Sequence, residues 1–243
     1  FDPVLMARRY EATFGPSSEY GSLADNAKGQ NKGWRNGSVL DFVRGAAEGK
    51  PELARGSATD FQSDAVTKII PITCVYAGRP ELMEMCEAAI RVTQNNDKAV
   101  ALGCSAARIL EGCILGKSCE VSVLDSTACL PHSFGSLREE FTGILTEVYS
   151  MRKERDIEVV VADFGQDLEG PKKAMARSCM PPYCLQVPSY IVATDPPSYA
   201  AAVRKSIMAG GDSAPRSAFV GACMGATMVG GGIGGDDGVP LSW

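Results

Sequence analysis

Apolar residues recur at helical spacing through much of the chain. Between residues 81 and 94 the apolar side chains fall at positions i, i+3, i+4 and i+7, and the same pattern extends over 99–116. A period of 3.6 residues places such side chains on one face of an α-helix. The pattern therefore predicts two amphipathic helices, over 81–94 and 99–116, each with one face in a core.

A third helix is predicted after these two. Ser136 and Glu139 have the spacing of a capping box, and the helical pattern continues through Val148. The segment 157–164 is the one stretch with strand propensity. Because one short strand cannot form a sheet, we expect helix or extended linker there.

Start and stop signals predict two more helices near the C-terminus. Asp195-Pro196 is typical of a helix start, with the aspartate as N-cap, and Gly210-Gly211 is typical of a helix end. Asp212 or Ser213 can then cap a last helix that runs to about Val229.

The remaining segments have loop composition. Residues 16–38 are rich in Ser, Gly, Asn and Lys and are expected to form a loop, and 230–243 form a glycine-rich tail. No internal repeat is visible. We therefore predict an all-α protein, with residues 1–243 as one domain.

Composition and charge exclude some classes of function. The 243 residues carry a net charge of −5 with mixed signs, which gives no electrostatic case for nucleic acid or an anionic membrane surface. Residues 217–235 hold no charge, but their many glycines argue against a membrane span. The chain opens on Phe1 rather than methionine, so we expect a processed or partial product.

The nine cysteines lie mostly within the helical patterns, and no Cys-x-x-Cys pair occurs. Their spacing matches no zinc ribbon or finger. We expect buried thiols in a reducing, intracellular compartment, with disulfide bridges as the alternative. The one histidine, His132, follows Pro131 in a loop pattern and is expected at the surface.

Asp212 is the leading candidate for chemistry. It stands after two glycines and before a run of small residues. A carboxylate at a helix N-terminus can meet a cation while open backbone donors face an anionic ligand. The alternative is a plain helix stop and start, since such caps occur in nearly every helical protein.

Several longer segments resemble one known family. The stretch "AAAVRKSIMAGGDSAPRSAFVGACMGA" followed by "GVPLSW" resembles the C-terminal signature of the ADP-ribosylglycohydrolases. Upstream, "SDAVTKIIPITCVYAG", "AAIRVTQNNDKAVALGCSAARILEGCILG" and "LQVPSYIVA" resemble further segments of that family. These motifs are most similar to those of the family's divergent J-crystallin and selenoprotein J branch, in which an arginine follows the Gly-Gly-Asp four residues later, as Arg216 does here.

The resemblance implies an all-α, ADP-ribosylglycohydrolase-like orthogonal helical domain whose N-terminal part is missing. The family typically holds two magnesium ions on aspartates and threonines from an N-terminal and a C-terminal acidic motif. Asp212 matches the first C-terminal metal ligand, and Ser213 replaces a threonine. Ala214 and Pro215 stand where a second aspartate and a ligand threonine are expected. The N-terminal Thr-Asp-Asp-Thr does not occur in the chain.

These departures give the main hypothesis: a degenerate member of this fold that acts as a structural or binding subunit without hydrolysis, with protein partners in a larger assembly. No cofactor is expected, unless an N-terminal acidic motif supplies a magnesium site. The alternative is an active Mg-dependent hydrolase that cleaves the glycosidic bond of ADP-ribosylated substrates.

A third option is non-catalytic binding of ADP-ribose or a nucleotide. The predicted binding residues are Thr93, Gly211, Ser213 and Arg216. Thr93 survives from the family's Thr-His turn, in which Gln94 replaces the histidine. Arg216 can pair with a phosphate or form a salt bridge to Asp212, and we favour the salt bridge because it offsets the orphaned carboxylate.

Overall fold

The computed structural model of the chain describes residues 1–23, 33–126, 134–153, 178–194, 196–228 and 238–240. Within these ranges the secondary structure consists of ten α-helices and a 3-10 turn, without a β-strand. The predicted all-α class is confirmed.

The ten helices follow one another along the chain. They are α1 (Pro3–Phe14), α2 (Gly37–Ala47), α3 (Asp64–Tyr76), α4 (Leu82–Arg91), α5 (Asp97–Ile114), α6 (Cys119–Ser126), α7 (Ser136–Met151), α8 (Tyr183–Ala193), α9 (Tyr199–Met208) and α10 (Ser213–Thr227).

All five helices predicted from the pattern exist, as α4, α5, α7, α9 and α10, but two predicted starts are wrong. Gly135 holds the N-cap position of α7 without a side-chain cap, so Ser136 is the first helical residue rather than the cap. Helix α9 begins at Tyr199, where the Ser198 hydroxyl accepts a hydrogen bond from the Ala201 amide. The predicted cap Asp195 lies outside the described residues.

Helices α1, α2, α3, α6 and α8 were not predicted from periodicity. Of these, α8 offers no periodicity to detect, since every residue from Cys184 to Ala193 is buried and Pro188 lies inside the helix. A helix buried on all sides shows no apolar stripe. The predicted loop 16–38 ends two residues early because α2 begins at Gly37. Residues 24–32, 157–164, His132 and most of 230–243 lie outside the described ranges.

Helix α5 is the centre of the core. Fourteen of its 18 residues are buried, and α3, α4, α6, α7 and α10 pack around it. Gly103 and Gly112 allow this close packing, because a Cβ atom there would collide with Ile90 and Ser122. Small residues on the central helix therefore set how closely its neighbours approach.

A smaller apolar cluster joins α1 to α2. It contains Ala7, Val39, Phe42, Val43 and Val92, of which Val92 follows directly after α4. The cluster packs α1 and α2 together. The N-termini of α2, α3 and α10 line one cleft.

Two further sequence predictions concern the environment of the chain. Among the described helices, none combines the length and the apolar character that crossing a bilayer requires. The eight cysteines in the described ranges are all free thiols, and six of them are buried, with Cys74 exposed and Cys179 half-buried. Cys129 lies outside these ranges.

Candidate functional site

A cleft of about 700 Å³ opens where the N-termini of α2, α3 and α10 meet. The N-cap residues of these helices, Asn36, Ser63 and Asp212, all line it. Trp34, which is 49% exposed, lies at its edge. Helix N-termini carry partial positive charge and open amide donors, so three of them favour negative charge in the cleft.

Asp212 lies in this cleft, but its side chain does not cap α10. Its Oδ2 atom accepts a hydrogen bond from the Ser63 hydroxyl at 2.8 Å. This contact links the starts of α3 and α10 across 149 residues of sequence. The predictions that Asp212 caps the helix and pairs with Arg216 are wrong, because its carboxylate is held by a tertiary contact instead.

Arg216 lies in the interior, with 4% of its surface exposed. Its Nη2 atom donates a hydrogen bond to the Gly210 carbonyl. Gly210 and Gly211 both have positive φ, at 73° and 70°, which confirms the predicted helix stop. Arg216 therefore ties the first turn of α10 to the glycine turn before it.

The other predicted binding residues differ in burial and in their position relative to the cleft. Gly211 is exposed and Ser213 is half-buried in the first turn of α10. Thr93 is fully buried, and its hydroxyl has no hydrogen-bond partner within the described ranges. Thr93 and Arg216 do not line the cleft. Their contact with a ligand stays a prediction, and it requires the interior to open.

Asp64 is a site residue that the sequence analysis missed. It lies in the first turn of α3 and lines the same cleft as Asp212. Its Oδ2 atom accepts hydrogen bonds from the Asn36 amide and from the Ser38 hydroxyl, the latter at 2.8 Å. Burial raises the pKa of the Asp64 carboxyl, and the positive charge of Lys68 partly offsets that effect. The signal available in the sequence was the pair Ser63-Asp64 directly before an apolar run, which indicates a helix start with an acidic residue in its first turn.

Behind Asp64 lies a chain of buried polar side chains. Lys68 Nζ donates to Gln94 Oε1 at 2.8 Å, and Gln94 Nε2 donates to Asp60 Oδ1 at 2.8 Å. Gln94 is fully buried. Burial lowers the pKa of Lys68 to about 8, although Asp64 and Asp60 favour its charged form. Gln94 therefore bridges the Lys68 ammonium group and the Asp60 carboxylate, which do not contact each other directly.

Cys179 also lines the cleft. Its thiol donates to Gln62 Oε1 at 2.8 Å. Burial raises the pKa of the Cys179 thiol, and the negative charge of Asp212 adds to that effect. The thiolate is the reactive form, so this cysteine is kept in its less reactive state.

The donor set is a poor fit for two magnesium ions. Mg²⁺ requires near-octahedral oxygen coordination, usually with carboxylates to offset the lost hydration. The described residues contain no group of three or more His, Cys, Asp or Glu side chains placed to hold a metal. Ala214 and Pro215 line the cleft beside Asp212 and offer no side-chain oxygen. The described residues therefore do not provide a two-metal centre.

The chain is similar to known proteins along its length. The ADP-ribosylglycohydrolase family model matches residues 1–243. Crystallin J1B of Tripedalia cystophora is 24% identical over 237 residues, which is 96% of this chain and 64% of the crystallin. Crystallin J1A of the same organism is 31% identical over 108 residues, 44% of this chain and 32% of that protein. The chain spans less than two thirds of either crystallin.

Proposed function

Since the chain belongs to the ADP-ribosylglycohydrolase family, we propose that it is a degenerate member that acts as a binding or structural subunit and does not hydrolyse ADP-ribosyl bonds. One observation carries this proposal. Ala214 and Pro215 line the cleft next to Asp212, at the two positions where the family resemblance calls for metal-ligating oxygens.

The charge balance in the cleft supports the proposal. Asp64 and Asp212 are the two carboxylates that line it among the described residues, and Lys68 lies close enough to Asp64 to influence its pKa. Two dications would bring four positive charges against these two carboxylates. Neither carboxylate is free of protein contacts, because each already accepts hydrogen bonds from the protein.

The same cleft has features that suit ADP-ribose or a nucleotide as a ligand. Three helix N-termini offer backbone donors and partial positive charge to a pyrophosphate. The ring of Trp34 offers an exposed apolar surface at the edge of the cleft, against which a base can stack. A volume of about 700 Å³ lies within the usual range of small-molecule sites.

The relatives support a structural role in a different way. Both matched curated proteins carry the name crystallin. We propose that this chain shares such a role with them, as a subunit that contacts protein partners.

Isothermal titration calorimetry with ADP-ribose tests the binding role. Titrations are run with magnesium and with a chelator, on the wild type and on the Ala214→Trp variant, which narrows the cleft. We expect binding that persists in the chelator and weakens in the variant. Ala218→Trp, at an exposed position of the same helix that does not line the cleft, is the matched control. Binding that strictly requires magnesium would contradict the proposal.

The second candidate function is an active Mg-dependent hydrolase, and the position of Asp64 favours it. Asp64 adds a carboxylate to the cleft beside Asp212, whereas the family resemblance pointed to Asp212 alone. This candidate predicts that the protein binds Mg²⁺ and that both Asp64→Asn and Asp212→Asn weaken the affinity. Calorimetry with magnesium chloride measures this directly. Equal affinities in all three proteins would count against a metal site at these residues.

A further inference from the structure

A second cavity, of about 260 Å³, adjoins the cleft and shares Trp34, Asn36, Asp64 and Thr67 with it. Its volume lies below the roughly 300–1,000 Å³ of sites for drug-sized ligands, so it suits a smaller molecule. Tyr10 and Phe14 of α1 form an aromatic wall, with ring centroids 5.4 Å apart. Asp64 and Lys68 of α3 form a charged wall.

Lys68 is incompletely satisfied in this wall. The residue is only 9% exposed, yet its ammonium group makes one hydrogen bond within the described ranges, to Gln94. An ammonium group has three N–H donors. No carboxylate among the described residues lies within 4.0 Å of it. Buried charged groups normally have more partners than this, because desolvation is costly.

Asp64 has unused capacity to accept hydrogen bonds, whereas Lys68 has unused capacity to donate them. Both of its hydrogen bonds from the protein reach Oδ2, so Oδ1 accepts none within the described ranges. Asp64 and Lys68 belong to the same turn of α3 and line the same cavity without forming an ion pair. A positive and a negative group therefore share one small cavity, each with hydrogen-bonding capacity left over.

The third charged residue that lines the cavity, Arg35, already binds backbone carbonyls of the protein. Arg35 donates to the carbonyls of Phe14 and Gly21, at 2.5 and 2.8 Å. It holds the chain after α1 in place. Recognition of a ligand is thus left to Lys68 and Asp64.

We propose that this cavity binds a small zwitterion with an aromatic or branched apolar side chain, of the α-amino acid class. The ligand carboxylate accepts from Lys68, its ammonium group donates to Asp64, and its side chain packs on Tyr10 and Phe14. A simple anion would leave Asp64 without a ligand donor and would be repelled by its negative charge. A simple cation would leave Lys68 without a ligand acceptor and would be repelled by its positive charge. A zwitterion satisfies both groups at once.

The test compares three compounds that share one phenyl group. L-phenylalanine carries both charges, phenethylamine lacks the carboxylate, and 3-phenylpropionate lacks the ammonium group. Calorimetry on the wild-type protein should show L-phenylalanine binding about tenfold more tightly than either half-ligand, since each charge-assisted contact is worth about that factor. Failure to bind L-phenylalanine, or equal affinities for all three compounds, would overturn the proposal. This series uses no variant, so it does not depend on the folding of an altered protein.

Two variants then assign each contact. Lys68→Met should remove the advantage of L-phenylalanine over phenethylamine, and Asp64→Asn should remove its advantage over 3-phenylpropionate. Lys50→Met, at an exposed lysine that does not line the cavity, is the matched control and should keep both advantages. If Lys68→Met and Asp64→Asn weakened all three compounds equally, the residues would support the cavity structurally, and the assignment would be wrong.

Discussion

Two walls of the cleft carry an acidic residue at the start of a helix. The α3 wall carries Asp64 and the α10 wall carries Asp212, and the two residues have different surroundings. Asp212, at the start of α10, accepts a hydrogen bond from Ser63 and has Ala214 and Pro215 beside it. Asp64, at the start of α3, is held by Asn36 and Ser38, with Lys68 near it. The family motif draws attention to the α10 wall, whereas most of the polar chemistry lies on the α3 wall.

The two walls differ in how strongly their polar side chains depend on contacts within the protein. Substitutions on the α10 wall should cost little stability, because that wall is partly exposed to solvent. On the α3 wall Lys68 is buried and Asp64 is half-buried, and the one hydrogen bond of the Lys68 ammonium group within the described ranges goes to Gln94. The two walls should therefore respond differently to substitution.

The largest effect is expected from Gln94→Leu. This change removes the acceptor of the buried Lys68 ammonium group and one donor to the half-buried Asp60, which keeps its hydrogen bonds from Gln62. The free energy of unfolding should fall by about 2–4 kcal/mol, because the buried Lys68 ammonium group is left without a hydrogen-bond partner. Urea unfolding measures this.

The control for this prediction is Asp212→Asn on the other wall, where a loss below about 1 kcal/mol is expected. The double variant Lys68→Met with Gln94→Leu should recover part of the loss, since it removes the orphaned charge. Equal losses for Gln94→Leu and Asp212→Asn would contradict the contrast between the walls.

A pH-dependent difference is expected for Asp64→Asn. Burial raises the pKa of Asp64 in the folded protein above its value in the unfolded chain. The folded state then binds the proton more tightly, so this group lowers stability as the pH rises from the unfolded pKa, about 4, through the folded one. Asparagine does not titrate. The wild type should therefore lose stability relative to the variant over this interval and then run parallel to it until Lys68, whose pKa Asp64 raises, begins to titrate.

Urea unfolding of both proteins at a series of pH values measures this gap. A gap that changes in the opposite direction would show that Asp64 gains more from Lys68 and its hydrogen bonds than it loses by burial. A gap that stays constant would show that the carboxyl has the same pKa in both states.

The smallest expected effect is on the reactivity of Cys179. The charge of Asp212 contributes more than that of Asp64 to the raised pKa of this thiol. Asp212→Asn should therefore speed alkylation by iodoacetamide several-fold, and Asp64→Asn should speed it less. Mass spectrometry of the modified peptide gives the rates.

The exposed Cys74 provides an internal reference in the same reaction, and its rate should not change in either variant. A larger acceleration in Asp64→Asn than in Asp212→Asn would reverse the assignment of the two walls.

The sequence predicts well what depends on local pattern. The amphipathic stripes of α4 and α5 and the stop at Gly210-Gly211 follow from residues near one another in the chain. The all-α class follows from the same periodicity. Helices without a stripe, such as the fully buried α8, were missed for the same reason.

The site itself depends on contacts between distant residues. The arginine four positions after Asp212 was the natural local partner, but the partner found is Ser63, 149 residues away. Asp64 lies in the segment "SDAVTKIIPITCVYAG" that resembles the family, but nothing in that segment marks it as a site residue, and the meeting of the starts of α2, α3 and α10 brings it into the cleft. Spacing along the chain could not show either contact.

We propose that this member of the family does not hydrolyse ADP-ribosyl bonds. The assay mixes an excess of the chain with an arginine- or serine-ADP-ribosylated protein, with and without magnesium, and measures free ADP-ribose. The wild type should release no more than the Asp212→Ala variant. Magnesium-dependent release by the wild type that disappears in Asp212→Ala would contradict it and establish a working hydrolase.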